Sequence, residues 1–261
     1  MPAPTIIITR PITQTSRLTD RLREAQRQVV LFPCMEIEAL SDYRAFDAVL
    51  ARLQEFALVA FVSPNAIAAT MRRLQHLHWT WPKNLAMAVM GQGSKEALLG
   101  LGFDEDVYKI IQPLNQERTD SETLLEVLDL ESLRGQKVLI IRGETGRELL
   151  ADALRENGVD VQQIAAYRRC APPFSAEKQR EFLQLLELEG DWVVTSSEIL
   201  QTILNWAAST GGSACVAKMQ QQHLLVPHRR IAENARSLGF QSLTLTSSGD
   251  EHMFVALQSR L

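Results

Sequence analysis

Cysteine is scarce and poorly placed for a covalent framework. Cys34, Cys170 and Cys215 are far apart, odd in number and without CxxC spacing. That disfavours a disulfide scaffold or a zinc ribbon and fits a reducing compartment, so a cytoplasmic location is expected. No apolar run approaches the ~20 residues needed to cross a bilayer. The opening MPAPTIIITRP has no basic segment before its short apolar stretch and no small-residue cleavage site. Neither membrane insertion nor secretion is therefore expected. An excess of basic charge is also missing: 27 Lys and Arg against 31 Asp and Glu give a net charge of −4. This argues against a general nucleic-acid partner. An acidic small molecule stays compatible, because local arginine placement matters more for it than net charge. What is present, 46% hydrophobic and 22% charged residues, excludes wholesale disorder. At 261 residues the chain can form one or two domains, each with a sizeable core.

Short β-branched runs alternate with helical patterns nearly from end to end. The expected buried strands are IIIT (6–9), VVLF (29–32), LVAFV (58–62), AMAVM (86–90) and VYKII (107–111), then VLII (138–141), WVVT (192–195), LLV (224–226) and LTLT (243–246). Between them, Leu18, Leu22 and Ala25 recur at helix spacing, as do Leu150, Ala153 and Leu154 in 147–157, and Ile231, Ala232, Ala235 and Leu238. Continuous apolar strands joined by helices point to parallel sheets covered on both faces, an α/β fold.

The chain also repeats itself. TIIITRP at 5–11 resembles KVLIIRG at 137–143, an offset of 132 that pairs Arg10 with Arg142. LVAFVSPNAI at 58–67 resembles WVVTSSEIL at 192–200, pairing Ser63 with Ser196 at an offset of 133. LGF at 101–103 recurs at 238–240, an offset of 137. Three ordered matches at nearly constant offset indicate one α/β design used twice. By themselves they allow a plain tandem arrangement as readily as an interleaved one.

Ligands of such sheets sit outside the carboxyl ends of the strands, where helix N-termini point. The loops there carry many anion-binding features and few conventional catalytic groups. Ser63-Pro64-Asn65 and Ser196-Ser197-Glu198 each follow a strand and open a helix, so they offer a hydroxyl and free backbone N–H groups to a carboxylate or phosphate. Simple helix capping accounts for the same residues. Gly91-Gln92-Gly93-Ser94 has two glycines that let a ligand approach the backbone, but lacks the third glycine of a dinucleotide fingerprint and the Gly-Lys-Ser/Thr of a P-loop. Arg142-Gly143 stands at a strand end, where an arginine can fork onto a carboxylate or form a surface salt bridge. His228-Arg229-Arg230 starts a helix, where cations are disfavoured unless an anion is bound.

Other chemistries find little support. His76 and His78 have no carboxylate or cysteine cluster beside them, so no metal site is expected. No GxSxG elbow is present, and no cysteine is accompanied by a recognisable base. Tyr167 ends the segment VQQIAAY before Arg168-Arg169-Cys170-Ala171-Pro172-Pro173, the best linker signal in the second half. A tyrosine at a domain crossing faces a cleft, although an amphipathic packing role is the commoner use of such a residue.

Taken in order, IIITRP, FVSPNAI, MGQGS, LIIRGETGRELLADALRENG, IAAYRR, VVTSSE and VPHRRIAENARSLGF resemble the uroporphyrinogen-III synthase family along almost the whole chain. The resemblance implies two flavodoxin-like α/β domains joined by a two-stranded connector, with the active site in the cleft between them. Residues 1–36 and 171–261 would form one domain and 37–170 the other, with connector segments near 30–38 and 163–171. The implied reaction closes hydroxymethylbilane, a linear tetrapyrrole, to uroporphyrinogen III, with loss of water and inversion of the last ring through a spiro intermediate. No metal or organic cofactor is implied. Tyr167 matches the family's cleft tyrosine and is the expected catalytic residue. Arg10, Ser63, Asn65, Gly91, Gly93, Ser94, Arg142, Gly143, Ser196, Ser197, His228 and Arg230 are the expected substrate-binding residues. The turn Pro227-His228-Arg229-Arg230 departs from the small hydroxyl or glycine-containing turn of many relatives, and Ser197 replaces a proline.

The expected partner is hydroxymethylbilane, with a transient contact to the enzyme that supplies it, and the expected state is a monomer. Two rivals compete with the synthase reading. A non-enzymatic two-domain sensor for an anionic small molecule would explain the anion-binding turns, but such proteins are usually exported or carry a DNA-binding module. A phosphosugar enzyme would need phosphate fingerprints and acid–base pairs that the sequence does not offer.

Overall fold

The computed structural model describes residues 3–114, 121–146 and 148–260. Its strands are β1 (Thr5–Ile8), β2 (Val29–Leu31), β3 (Glu36–Glu38), β4 (Leu58–Phe61), β5 (Ala86–Val89), β6 (Ile110–Ile111), β7 (Lys137–Gly143), β8 (Asp160–Cys170), β9 (Gly190–Val193), β10 (His223–Val226) and β11 (Leu243–Leu245). The helices are α1 (Ser16–Glu24), α2 (Arg44–Leu50), α3 (Pro64–His76), α4 (Gln92–Gly100), α5 (Ser121–Leu125), α6 (Leu130–Leu133), α7 (Leu149–Glu156), α8 (Ala176–Leu186), α9 (Ser197–Gln221), α10 (Arg229–Ser237) and α11 (Asp250–Gln258). The chain divides into two compact units, Met1–Glu36 with Cys170–Leu261, and Ile37–Arg169.

The first unit holds a parallel sheet in the order β11-β10-β9-β1-β2. Ile7 pairs with Val30 on one side and with Trp192 on the other, so the opening strand is bracketed by a neighbour in sequence and by one far along the chain. Counted within the unit, the order is 2-1-3-4-5, that of flavodoxin-like sheets. Strand alternation divides the apolar residues cleanly. Ile7, Trp192, Leu224 and Val226 join one core with Phe182, Ile203 and Ala232 from α8, α9 and α10. Ile6, Ile8, Val193 and Leu225 join the opposite core with Leu18, Leu22, Met253 and Leu257 from α1 and α11.

The second unit has the order β3-β8-β7-β4-β5-β6. Setting aside β3, which lies along β8 at the edge, the series β8-β7-β4-β5-β6 reproduces β2-β1-β9-β10-β11, with β7 in the place of β1. This is the physical content of the sequence repeat: the same sheet is made twice, with the strands drawn from the chain in a different order. Val59, Phe61, Met87, Val89, Leu139 and Ile141 face one core, and Leu58, Ala60, Ala88, Val138 and Ile140 the other. The LGF repeat is a helix stop. Gly102 and Gly239 adopt φ of +86° and +90° after α4 and α10. Phe103 then donates its N–H to Leu98 at 3.2 Å and Phe240 to Ala235 at 3.1 Å, closing a Schellman motif in each unit.

Several expectations are corrected. Of VYKII only Ile110–Ile111 is strand, because Val107 and Tyr108 turn back to donate to the Asp104 carbonyl. The strand expected at 192–195 runs from Gly190 to Val193 instead. Ala25 is exposed beyond the end of α1, and the next residue, Gln26, takes a φ of +57°. Ala153 is half-buried, and Ala151 takes the inner position on α7. The pattern did not announce β3. Helix α9 is broken at Gly211 and Gly212, where the backbone leaves helical angles.

At the amino ends of its strands the first unit contains a buried charge cluster. Asp191 on β9 lies 2.7 Å from His223 Nδ1 and accepts from Arg260 Nε at 2.9 Å, while His223 Nε2 meets Thr244 Oγ1 at 2.9 Å. Burial opposes the Asp191 charge, but His223 and Arg260 together outweigh it, and the pKa lies below the usual carboxylate range. A carboxylate with a depressed folded-state pKa contributes stability above its unfolded value, about 4, and loses it as pH falls further. Asp191→Asn is therefore expected to lower stability at pH 7 by about 1–3 kcal/mol. It should also flatten the loss of stability below about pH 4, as followed by urea titrations across pH.

The division into units predicts which pieces fold. A fragment of residues 37–169 holds its sheet whole but for the end residues Glu36 of β3 and Cys170 of β8, and should unfold in one sharp thermal transition by circular dichroism. A fragment of residues 1–135 lacks β7 and β9, which its two sheets need beside β4 and β1, and should show none.

Candidate functional site

Four helix starts lie at the carboxyl ends of the two sheets, and their local chemistry differs. Ser63 ends the β4 segment, and its Oγ accepts from the Ala66 N–H at 3.1 Å, which caps α3, with Pro64 at the first helical position. Ser196 holds the matching place after β9, accepting from the Ile199 N–H at 3.1 Å to cap α9. In both, serine satisfies one of the unpaired N–H groups and leaves others at the positive end of the helix. Gly91 precedes α4 with no side-chain cap, and a methyl group added at Gly93 would meet nothing within 4 Å, so the backbone at Gly93 is open. Ser94 is buried. His228 caps α10 by accepting the Arg230 N–H on Nδ1 at 3.1 Å. Arg229 pairs with Glu233 one turn on, and the Arg230 side chain is exposed.

Tyr167 has the packing role and keeps one polar contact. Only 4% of it is exposed, and it belongs to the core with Phe61, Ile67 and Ile141. Its hydroxyl, however, meets Ser63 Oγ at 3.0 Å, at the start of α3. Two details of β7 and β8 place the ring. The parallel register slips between Arg142 and Gly143, so that Gly143 lies opposite Tyr167. A methyl group at position 143 would stand 3.1 Å from two ring carbons and 3.3 Å from the hydroxyl. Glycine therefore makes the room in which the phenol lies.

Arg10 and Arg142, the pair found by the repeat, are both only 7% exposed, and each is held by a carboxylate inside its own unit. Arg10 donates from Nη1 to Asp250 at 2.7 Å, at the first residue of α11, while its Nε and Nη2 have no acceptor among the described residues. Arg142 donates from Nη1 to Glu148, which precedes α7, and at 2.6 Å to Gln163 on β8. Gln163 also donates to Glu148. These two contacts, that from Gln163 foremost, hold the Glu148 carboxyl below its usual pKa. Gly146 clears the way, since a methyl group there would lie 2.8 Å from Arg142 Nη2. Asp250, Glu148 and Gln163 escaped the reading of the sequence. Glu148 lay within the quoted GETGRELL segment, and its spacing of six from Arg142 was the available signal. Asp250 gave none.

Two of the three cysteines are turned away from chemistry. Burial pushes the Cys34 thiol far above its normal range, and Cys215 is raised for the same reason, so neither is a ready thiolate. Among the described residues no helix is long and apolar enough to cross a membrane.

Each unit thus places helix starts and one buried guanidinium group at the carboxyl ends of its own strands, and the second unit adds a buried phenol. Comparison with known proteins gives this a context. A family model described as uroporphyrinogen-III synthase HemD matches residues 16–254. The chain is 30% identical over 251 residues to the uroporphyrinogen-III synthase of Escherichia coli K12, covering 94% of this chain and 96% of that protein. It is 31% identical over 246 residues to that of Salmonella typhimurium LT2, with the same coverage. Two solved structures share the α/β fold with parallel sheets. A mutant uroporphyrinogen III synthase from Thermus thermophilus superposes with a TM-score of 0.61 at 16% identity, over 98% of this chain and 96% of that one. The enzyme from Helicobacter pylori 26695 gives 0.60 at 14% identity, over 98% and 100%. On the extent of the family match and the identity to its bacterial members, this chain belongs to the uroporphyrinogen-III synthase family.

Proposed function

We propose that this chain cyclises hydroxymethylbilane to uroporphyrinogen III, working as a monomer in the cytoplasm and without a metal or organic cofactor. The observation that carries the reading is the match to bacterial synthases over 94% of the chain. These relatives disfavour the alternative of a non-enzymatic anion sensor.

The substrate is a flexible polyanion, with an acetate and a propionate on each ring. Its carboxylates are taken up at the carboxyl ends of the strands in each flavodoxin-like unit. Ser63 and Asn65, the backbone of Gly91 and Gly93 with Ser94, Ser196 with Ser197, and His228 with Arg230 supply hydroxyls and N–H groups at helix starts. A protein of net charge −4 can bind a polyanion in this way, because backbone dipoles do the work of cations. The two unanswered donors of Arg10 support its role as a carboxylate ligand. Arg142 already has Glu148 and Gln163, so its part is to shape the loop beside Gly143 and meet substrate through its remaining donors.

In the reaction the hydroxymethyl oxygen takes up a proton and leaves as water as its C–O bond breaks, while the pyrrole nitrogen lone pair supplies the electrons and its N–H proton is released, giving a neutral azafulvene. The substituted carbon of the terminal ring then attacks to give a spiro intermediate, which fragments and recloses with that ring inverted. Nucleophile and electrophile both belong to the substrate. The protein's contribution is to hold the terminal ring so that the substituted carbon reacts first. Tyr167 donates a hydrogen bond to the departing oxygen.

Incubation with hydroxymethylbilane, oxidation and separation of the porphyrin isomers tests the function directly. The III isomer is expected, whereas spontaneous closure alone, giving isomer I, would refute it. Tyr167→Phe should fold normally and lose one transition-state hydrogen bond, about 1–3 kcal/mol or roughly 5- to 150-fold in rate. Full turnover with unchanged melting would make Tyr167 a packing residue. Gly143→Ala should displace the ring and slow turnover at least as much, with a lower melting temperature as well. Retention of both wild-type values would show that the ring's place over Gly143 is dispensable.

A further inference from the structure

We infer that Ser63 acts as a positioning residue for Tyr167, donating its hydroxyl proton to the phenol oxygen so that the Tyr167 O–H points outward as a donor. The inference rests on the proposed role of Tyr167, and it replaces direct substrate binding as the main task of Ser63.

The argument starts from the two contacts of one oxygen. Ser63 Oγ accepts from the Ala66 N–H at 3.1 Å and meets the Tyr167 hydroxyl at 3.0 Å. A serine hydroxyl has one proton and two lone pairs. One lone pair is occupied by the helix cap. If Tyr167 donated to the other, Ser63 would be a double acceptor, its own proton would need a further partner, and the phenol would have no proton left to offer a substrate. If Ser63 donates, every bond runs in one direction, from the Ala66 N–H to Ser63 Oγ, from the Ser63 O–H to the Tyr167 oxygen, and from the Tyr167 O–H outward.

The second arrangement is favoured electrostatically. It begins at the positive end of α3, a helix of 13 residues, and each donor in the chain is polarised by the one behind it. Among the described residues the phenol oxygen has no other hydrogen-bond partner, and its ring is fixed by burial and by the space over Gly143. Rotation of the Tyr167 O–H is thus the one freedom left, and Ser63 removes it. The chain moves no proton in the resting protein. It keeps Tyr167 ready to hydrogen-bond an oxygen that leaves as water.

Ser196, the equivalent cap in the other unit, has its cap bond to Ile199 without a tyrosine beside it, so capping alone does not require the contact.

Two measurements on the full chain decide the matter. The first is spectroscopic: the tyrosine Fermi doublet in ultraviolet resonance Raman spectra distinguishes a phenol that accepts a hydrogen bond from one that only donates. Difference spectra against Tyr167→Phe isolate Tyr167 from Tyr43 and Tyr108. Ser63→Ala and Ser63→Gly should both shift the Tyr167 doublet away from the acceptor pattern, and Ser63→Thr should restore it. Glycine retains most of the capping strength, so Ser63→Gly is the variant expected to keep the start of α3 intact. An unchanged doublet in both variants, or a wild-type doublet of the purely donating kind, overturns the inference. The second is a double-mutant cycle on turnover. Ser63→Ala and Ser63→Gly should lower kcat about 3- to 30-fold with little change in KM, and cost nothing further in a Tyr167→Phe background. A raised KM with additive losses would make Ser63 a substrate ligand instead. If Tyr167→Phe alone is fully active, the catalytic reading of Tyr167 fails, and the Raman result still decides whether Ser63 holds the phenol.

Discussion

The parallel pairing of β1 with β9 is the contact on which the first unit depends. Ile6, Ile7 and Ile8 are wholly buried, and they occupy a central position in the sheet, between β2 and β9. A central strand buried on both faces must find hydrogen-bonding neighbours on both edges, and the only local neighbour is β2. The other edge is supplied by Gly190–Val193, on the far side of 133 intervening residues of the second unit. Gly190 shows how closely the strands lie, since a methyl group there would stand 2.3 Å from Ile7 Cδ1. Both cores of the unit, with Trp192 on one face and Val193 on the other, are organised around this junction.

The duplication gives the two units the same sheet but not the same wiring. In each, an arginine ends the strand in the β1 place, and a serine caps the helix after the neighbouring strand. Evolution of the details then diverges in ways the geometry makes explicit. The Arg10 carboxylate partner comes from α11, at the far end of the chain, whereas that of Arg142 comes from the residue just before the next helix. Only the second unit sets a tyrosine beside its capping serine. The strand that carries this tyrosine, β8, extends through 11 residues, while its counterpart β2 has three. The added length carries Tyr167 to the level of Gly143 and Ser63.

The sequence made the buried strands and the helix starts legible because both depend on local chemistry. Apolar β-branched runs and a serine followed by a helix-forming segment carry their meaning within ten residues. The Schellman stops were visible as a repeated LGF before their geometry explained it. What stayed hidden depends on distant partners. Glu36-Ile37-Glu38 has charged residues at both ends and becomes strand because β8 offers an edge to pair with. Ile110–Ile111 is strand only where β5 lies beside it, and the preceding Val107 and Tyr108 follow the turn at Asp104. The helix starts at the strand ends were found, but the carboxylates that hold Arg10 and Arg142 were not. Tyr167 was recognised by family resemblance, and its hydrogen bond to a serine 104 positions earlier required the fold.

The separation of β1 from β9 also has a meaning for synthesis on the ribosome. Ile8 leaves the tunnel long before Val193, its partner across the sheet, has been translated. At about 5–20 residues per second, the delay is on the order of 10–40 s. Through that interval the second unit can complete its sheet, since its strands lie within the inserted segment but for Glu36 and Cys170 at its two boundaries. The opening strand cannot, and an apolar β segment with one unoccupied edge must wait in the presence of other nascent chains. The proteostasis burden of this fold therefore falls on its first thirty-odd residues, where a chaperone that shields short apolar segments would have the most to do.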